Sequence, residues 1–233
     1  MEARQPHIIF IQGIMPRSGT HFLSNLLSHH PDCEKSAIPE DGLLERSAIL
    51  AKFVNRNYER WLSEGGLPDI PARELLMESL GEGLLTFLRR AWEAAEAKEG
   101  IIADRKTPKF LVAKTPQVAN ISKFFKLFPH EKLLIIVRDG RALVESIDLS
   151  FGYGREEAMR DWAQAARRIH AFVQACQEAK TQYMVIKFEE FHTDTEQQMR
   201  KILAFLELDS EKYDFQSALN IPVVGSSVFK GGE

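Results

Sequence analysis

Residues 8–27 read IIFIQGIMPRSGTHFLSNLL, and no other stretch narrows the fold as far. A compact apolar run ends in Gln12-Gly13, a turn containing Pro16 follows, and Ser18-Gly19-Thr20 opens a helix with Phe22, Leu23, Leu26 and Leu27 on its apolar face. The run suits a strand buried on both faces, and a strand passing directly into a helix is the unit from which parallel sheets are built. Backbone N–H groups at a helix start have no intrahelical partner and carry the positive end of the helix dipole, so the loop from Pro16 to Thr20 attracts phosphate. Arg17 adds a fixed positive charge. The bland alternative is that Ser18 merely caps the helix after a βα turn. A Walker A loop needs G-x-x-x-x-G-K followed by Ser or Thr. Here five residues separate Gly13 from Gly19 and no lysine precedes Thr20, so an ATPase fits poorly.

The rest of the chain alternates short β-rich runs with longer helical periodicity. Strands are expected at His7–Gln12, Lys132–Val137 and Tyr183–Phe188, with weaker candidates at Ile101–Ile102 and Phe110–Ala113. Helices are expected at Thr20–His29, Glu74–Lys98, Arg141–Ser150, Arg155–Lys180 and Thr195–Leu206. In the fourth of these, Trp162, Ala166, Ile169 and Val173 fall at helical spacing and read as packing residues. Pro68 and Pro71 punctuate a linker between helices. The pattern predicts an α/β fold, a P-loop-like central parallel β-sheet flanked by helices, in one domain over residues 1–233.

A formal net charge of -3 argues against a nucleic-acid partner, so any anionic ligand must meet a local basic cluster. Two cysteines, Cys33 and Cys176, are too few for a disulfide framework and favour a reducing compartment, a single bridge between them staying open. No charged leader precedes a long apolar stretch, and nowhere do about 18 consecutive apolar residues occur, so no integral membrane segment and a cytoplasmic location are expected. The histidines show no metal spacing, and no metal site is expected.

A second segment, residues 132–151, reads KLLIIVRDGRALVESIDLSF. A strand delivers Arg138 at its C-terminal end, where ligands collect in open α/β sheets, and the following helix carries Ser146. An arginine fork and a hydroxyl could together hold a second phosphate. The alternative is a surface arginine paired with Asp139 and a serine facing solvent.

Together the two segments resemble the sulfotransferases that use 3′-phosphoadenosine 5′-phosphosulfate, closest in motif to the bacterial and tyrosylprotein types. Pro16, Arg17, Ser18, Gly19 and Thr20 match that family's 5′-phosphosulfate loop, and Val137, Arg138, Asp139, Gly140, Arg141 and Ser146 match its 3′-phosphate segment. His21 departs from the pattern, standing where a second threonine is usual. The resemblance implies the sulfotransferase fold and this donor, released as adenosine 3′,5′-bisphosphate. It implies donor contacts at Arg17, Ser18, Gly19, Thr20, His21, Phe22, Arg138 and Ser146. VIKFEEF and ILAFLEL extend the likeness, with Phe188 where relatives place an adenine-stacking tyrosine; a plain core phenylalanine is the alternative.

By analogy with phosphoryl transfer, the reaction is an in-line displacement that needs donors on the developing charge and a base on the acceptor. Arg17 is expected to stabilise the bridging oxygen, and Lys114, in Lys114-Thr115-Pro116, resembles the family's lysine near the transferred group. Pro116 stands where phenol-type relatives carry a histidine base. Glu40 is the expected base instead, because His30-Pro31-Asp32 followed by Ile38-Pro39-Glu40 resembles the arrangement in tyrosylprotein and bacterial relatives. The alternatives are an ordinary helix-start acid at Glu40, a solvated Lys114, and His21 or His29 as base. Lys230, in VVGSSVFKGGE, looks like the start of a C-terminal loop that covers the donor, whether whole or cut short staying open; a flexible tail is the alternative. The acceptor is a hydroxyl on a small molecule, carbohydrate, lipid or peptide, read by the segment from Asp41 to Arg73 with Phe53, Tyr58 and Trp61. Two other classes compete: a P-loop kinase or NTPase, and a non-catalytic nucleotide-binding module.

Overall fold

Apolar residues on both sides of each central strand force a sheet covered on two faces, and that is what a computed structural model shows. It describes residues 5–65, 70–99, 107–179 and 182–221. Five strands, β1 (His7–Gly13), β2 (Cys33–Lys35), β3 (Phe110–Thr115), β4 (Lys132–Val137) and β5 (Tyr183–Lys187), form one sheet in the order β2-β3-β1-β4-β5, every pair parallel. The helices are α1 (Thr20–Leu27), α2 (Leu43–Arg46), α3 (Ala48–Ser63), α4 (Ala72–Glu99), α5 (Phe124–Leu127), α6 (Gly140–Phe151), α7 (Arg155–Ala175), α8 (Phe188–Thr193), α9 (Thr195–Phe205) and α10 (Phe215–Leu219).

Side chains alternate across the sheet. Ile8, Phe10, Leu111, Ala113, Leu133 and Ile135 join a core with α4, α5, α6 and α7. Ile9, Ile11, Phe110, Val112, Leu134 and Ile136 join a second core with α1 and α9. Phe10 stacks on Phe128 at 4.7 Å and meets Phe124 edge-on at 5.3 Å, pinning β1 against the first core. Truncating such a ring to alanine costs about 3–5 kcal/mol.

Several expectations are corrected. Phe110–Thr115 is a full strand, two residues longer than expected, and every residue of it is buried. The last strand stops at Lys187, and Phe188 begins α8 without an intervening turn. α1 ends at Leu27, two residues early, where Ser28 closes its last turn. α7 ends at Ala175, followed by a short 3-10 turn. Its buried stripe runs Ala158, Ala165, Ile169 and Phe172, with Trp162, Ala166 and Val173 only partly covered. Strand β2 was not expected, being three residues long. Cys33 and Cys176 are both free, so the open disulfide does not form. Ile101–Ile102, Pro68 and Lys230 lie outside the described residues. Among the described residues no helix is long and apolar enough to cross a membrane.

Strand register brings the chemistry to one edge. Gln12 is opposite Thr115, Gly13 opposite Ile136, and Val137 opposite Lys187. The C-terminal ends of β3, β1, β4 and β5 therefore align, and the loops after them meet where ligands bind open α/β sheets.

Candidate active site

At the centre of that edge lies the loop after β1. Ile14 N–H donates to the Ile136 carbonyl at 2.9 Å, and Ser18 N–H closes the turn on Met15 at 3.3 Å. Two residues take left-handed backbone, Arg17 at φ 74 and Gly19 at φ 102. The first carries a side chain, a conformation costing about 1–2 kcal/mol that the surrounding contacts must hold in place. Ser18 does not cap α1: the cap position belongs to Gly19, with no side-chain cap bond. Instead Ser18 Oγ is buried with no protein partner. A buried hydroxyl left unpaired costs about 1–3 kcal/mol, and beside a row of helix-start N–H groups it fits an anionic oxygen. Gly13 makes room for it, since a Cβ there would lie 2.3 Å from Ser18 Oγ and 2.8 Å from Thr20 Cγ2. Phe22 is buried with its ring on Phe191 at 5.5 Å, so its backbone N–H is what remains for a ligand.

On the β4 side, Arg138 donates from Nη1 to the Arg17 carbonyl at 2.9 Å, and its guanidinium lies 4.8 Å from the centre of the Phe188 ring. It is not paired with Asp139, whose carboxylate caps α6 and binds Arg141 at 2.8 Å. Ser146 is buried rather than solvated, and its Oγ accepts from Arg17 Nε at 3.3 Å. Arg17 thus links the two, its side chain bonded to the Ser146 hydroxyl and its carbonyl to Arg138. Burial pulls Arg138 below its ordinary pKa and Arg17 adds to the effect, with Glu189 opposing. An anion placed there would offset both charges. The Arg17 side chain is therefore turned toward the Arg138–Ser146 group, on the opposite flank of the loop from Lys114. Phe188 lies over the loop: a Cβ on Gly19 would meet its ring at 2.5 Å. Trp162, read from sequence as packing, also donates Nε1–H to the Arg138 carbonyl at 3.1 Å.

On the β3 side, Lys114 is buried and its Nζ binds Glu40 Oε1 at 3.1 Å, with side-chain exposures of 9% and 55%. This overturns both bland alternatives. Lys114 is not solvated, and Glu40 lies outside α2, whose cap position is Gly42. The exposed carboxylate stays open to a second molecule. His21 is exposed at the start of α1, where burial, Lys114 and Lys35 hold its imidazole below its ordinary pKa, with Glu40 opposing. His29 sits at the far end of α1. His30 is buried and structural, its Nδ1 accepting from Asp32 N–H at 3.1 Å and its Nε2 donating to the Asp209 carbonyl at 3.0 Å. Sequence reasoning did not single out Thr115, Asp41 or Gln12. Thr115 Oγ1 bonds Asp41 Oδ2 at 3.2 Å, and the Gln12 amide is buried with neither end partnered. A cleft of about 440 Å³ opens beside the loop between Met15-Pro16, Gln117–Ala119 and the α6 residues Ile147 and Phe151. Phe53, Tyr58 and Trp61 all fall on α3, where Phe53 is 52% exposed and the Tyr58 ring lies under the Arg73 guanidinium at 4.6 Å.

Known proteins resemble this chain at two levels, in sequence and in fold. A protein-tyrosine sulfotransferase of Drosophila melanogaster is 29% identical over 221 residues, which is 88% of this chain and 39% of that protein. Protein-tyrosine sulfotransferase 1 of Danio rerio is 27% identical over 214 residues, 86% of this chain and 53% of that protein. The chain thus spans roughly two-fifths to one-half of the length of these curated relatives. Among solved structures, the sulfotransferase domain of the Synechococcus PCC 7002 olefin synthase superposes with a TM-score of 0.52 at 19% identity, covering 100% of this chain and 83% of that one. A sulfotransferase from Alicyclobacillus acidocaldarius gives 0.52 at 17% identity, covering 89% and 83%. These two share the fold, a parallel sheet flanked by helices. The sulfotransferase family model matches residues 6–212, a span that runs from before β1 to beyond α9 and contains every described residue of the site. The chain belongs to the sulfotransferase family.

Proposed function

We propose that the chain transfers the sulfuryl group of 3′-phosphoadenosine 5′-phosphosulfate to an acceptor hydroxyl, with Glu40 as the base. The observation that carries this reading is the pair of separate clusters flanking one phosphate-type loop. Arg17, Arg138 and Ser146 lie toward β4, and the Lys114–Glu40 pair lies toward β3. A donor with an anionic group at each end of its nucleotide fits two clusters; a nucleoside triphosphate has one phosphate chain and would leave the arginines without an anion. The unpartnered Ser18 hydroxyl and the Gly13 gap fit a phosphate held at the loop.

In this reading the loop N–H groups and Ser18 hold the 5′-phosphate, Arg138 and Ser146 meet the 3′-phosphate, and Phe188 offers a ring face to the adenine. The bound donor supplies the sulfuryl group, which passes to the acceptor oxygen as the bridging S–O bond breaks. Glu40 takes the acceptor's proton, a contribution of about 10² to 10⁴ in rate. Lys114 neutralises charge on the transferred group, worth about 10² to 10³. Arg17, on the phosphate-type loop with its Nε on Ser146, stabilises the bridging oxygen through the rest of its guanidinium. Because the named relatives are protein-tyrosine sulfotransferases, a tyrosyl hydroxyl is the first acceptor to test, and the cleft beside Met15-Pro16 is where it would enter.

Melting curves with adenosine 3′,5′-bisphosphate and with MgATP separate this from the kinase reading. The bisphosphate at 100 times its dissociation constant should add about 2.7 kcal/mol. Stabilisation by MgATP alone would sink the proposal. Glu40→Gln should lower kcat at least about 100-fold while bisphosphate affinity stays near the parent's. An unchanged kcat would remove Glu40 as base, and a parent with no turnover of labelled donor would favour a binding module.

A further inference from the structure

Glu40 sits on a loop, residues 36–42, with no regular structure. A base on such a segment has to be held by its neighbours, and the bonds that hold this one fall in a register. Glu40 meets Lys114, and the next residue on each side, Asp41, meets Thr115. Gly42 N–H then donates to Thr115 Oγ1 at 3.3 Å. An N–H can only donate, so the Thr115 hydroxyl proton is directed to Asp41 Oδ2 at 3.2 Å. Asp41 Oδ1 accepts from Leu43 N–H at 2.9 Å, turning the chain into α2 through Gly42 at φ 60. Both carboxylate oxygens and both hydroxyl functions are occupied by this one clip.

We propose that Thr115 and Asp41 are positioning residues that fix Glu40 opposite Lys114, and that the reaction depends on them through that placement. The inference rests on the reading of Glu40 as base. Lys114 and Thr115 are consecutive in a strand, so their side chains leave opposite faces of β3, and the loop is gripped on both. Two attachment points on opposite faces fix its position and its rotation. Each bond alone is long and modest. Their joint effect is geometric: a slip of one residue along extended chain is about 3.3 Å, enough to take Glu40 out of reach of the lysine. Burial raises the Asp41 pKa, with the hydrogen bonds from Leu43 and Thr115 and the Lys114 charge opposing. Thr115 is itself buried, so removing its hydroxyl strands both Gly42 N–H and Asp41 Oδ2.

The test compares Thr115→Val, Thr115→Ser and Glu40→Gln. Turnover is read as bisphosphate released from labelled donor with a tyrosyl peptide present, so that hydrolysis of the donor is counted too. Misplacement of a catalytic group by about 1 Å costs on the order of 10²-fold. Thr115→Val should lower kcat about 10- to 100-fold and leave bisphosphate affinity within about twofold, and Thr115→Ser should recover most of the loss. Acylation of Lys114 by an amine reagent, followed by mass spectrometry, gives a readout independent of activity. It should quicken in Thr115→Val and in Glu40→Gln and match the parent in Thr115→Ser. Parent-like kcat or parent-like Lys114 labelling in Thr115→Val would overturn the inference, as would failure of the serine to rescue. If Thr115→Val does not fold, Asp41→Asn carries the same comparison. Full activity in Glu40→Gln would defeat the base assignment itself, whereas an inactive Glu40→Gln beside an active Thr115→Val would defeat only the clip.

Discussion

The two flanks of the loop are built in different ways. Toward β4, the groups that would hold the donor come from backbone and from side chains on continuous strand-to-helix units, and the left-handed residues Arg17 and Gly19 are locked by Arg138 and Phe188. Toward β3, the groups that would act on the acceptor are side chains brought together from positions 40 and 114, held by one ion pair and the bonds around Thr115. The contrast teaches a division of labour. Under the proposed function, binding would rest on rigid backbone, and turnover on a constellation that depends on a few long-range side-chain bonds. If so, changes on the two flanks should separate cleanly in kinetics.

The largest expected effect lies on the β3 flank. Lys114→Met keeps the length and apolar stem of a buried side chain and removes its charge, leaving Glu40 without its partner. A drop of about 10² to 10³ in kcat is expected, with bisphosphate affinity within a few fold, as titration calorimetry would report. Loss of bisphosphate binding in this variant would break the comparison, because it would put Lys114 among the groups that hold the donor's nucleotide. Gly19→Ala probes the other flank. An L-residue at φ 102 bears about 1–3 kcal/mol of strain, and its Cβ would displace the Phe188 ring and with it the Arg138 contact. Bisphosphate affinity should fall about 10- to 100-fold, which is about 1.4–2.8 kcal/mol. Parent affinity with reduced kcat would reverse the assignment of the flanks.

The same contrast explains how much of the molecule is legible in its sequence. The loop and the Arg138–Ser146 unit are each contiguous, so a strand, a turn and a helix announce them in about twenty letters. Strand β4 was legible to the residue because five of its six residues are aliphatic and its last gives way to charged Arg138. Phe188 was placed at the end of a strand because no Gly, Pro or Asn separates β5 from α8. The bounds of α3 could not be set: only Val54 is buried in it, while Ile49 and Phe53 are exposed, so it carries no clean apolar stripe. The Glu40–Lys114 pair spans 74 residues, and only family resemblance suggested its two members. Nothing local marks Thr115 or Asp41, whose roles arise from a contact between the end of strand β3 and a loop distant from it in sequence. Trp162 was legible as a packing residue by its spacing, but the bond from its N–H to the Arg138 carbonyl was not.

The smallest expected effect concerns pH, and it too belongs to one flank. On the β4 side the central groups are guanidinium groups and a hydroxyl. On the β3 side, burial raises the Asp41 carboxyl above its ordinary 3.8, with the bonds from Leu43 and Thr115 opposing. A carboxyl with a raised folded-state pKa binds its proton more tightly when folded. Its contribution to stability is present below about pH 3.8 and is lost as pH rises through the folded value. Asp41→Asn removes that titration. The amide also leaves the Thr115 hydroxyl proton without an acceptor, but that penalty is the same at every pH. Other titrating groups, His21 among them, occur in both proteins and cancel in the difference. The melting temperature of the parent minus that of Asp41→Asn should therefore be larger at pH 4 than at pH 7.5. A difference that stayed flat, or grew with pH, would mean that burial does not govern this carboxylate and that its bonds to Leu43 and Thr115 outweigh the cost of enclosing its charge.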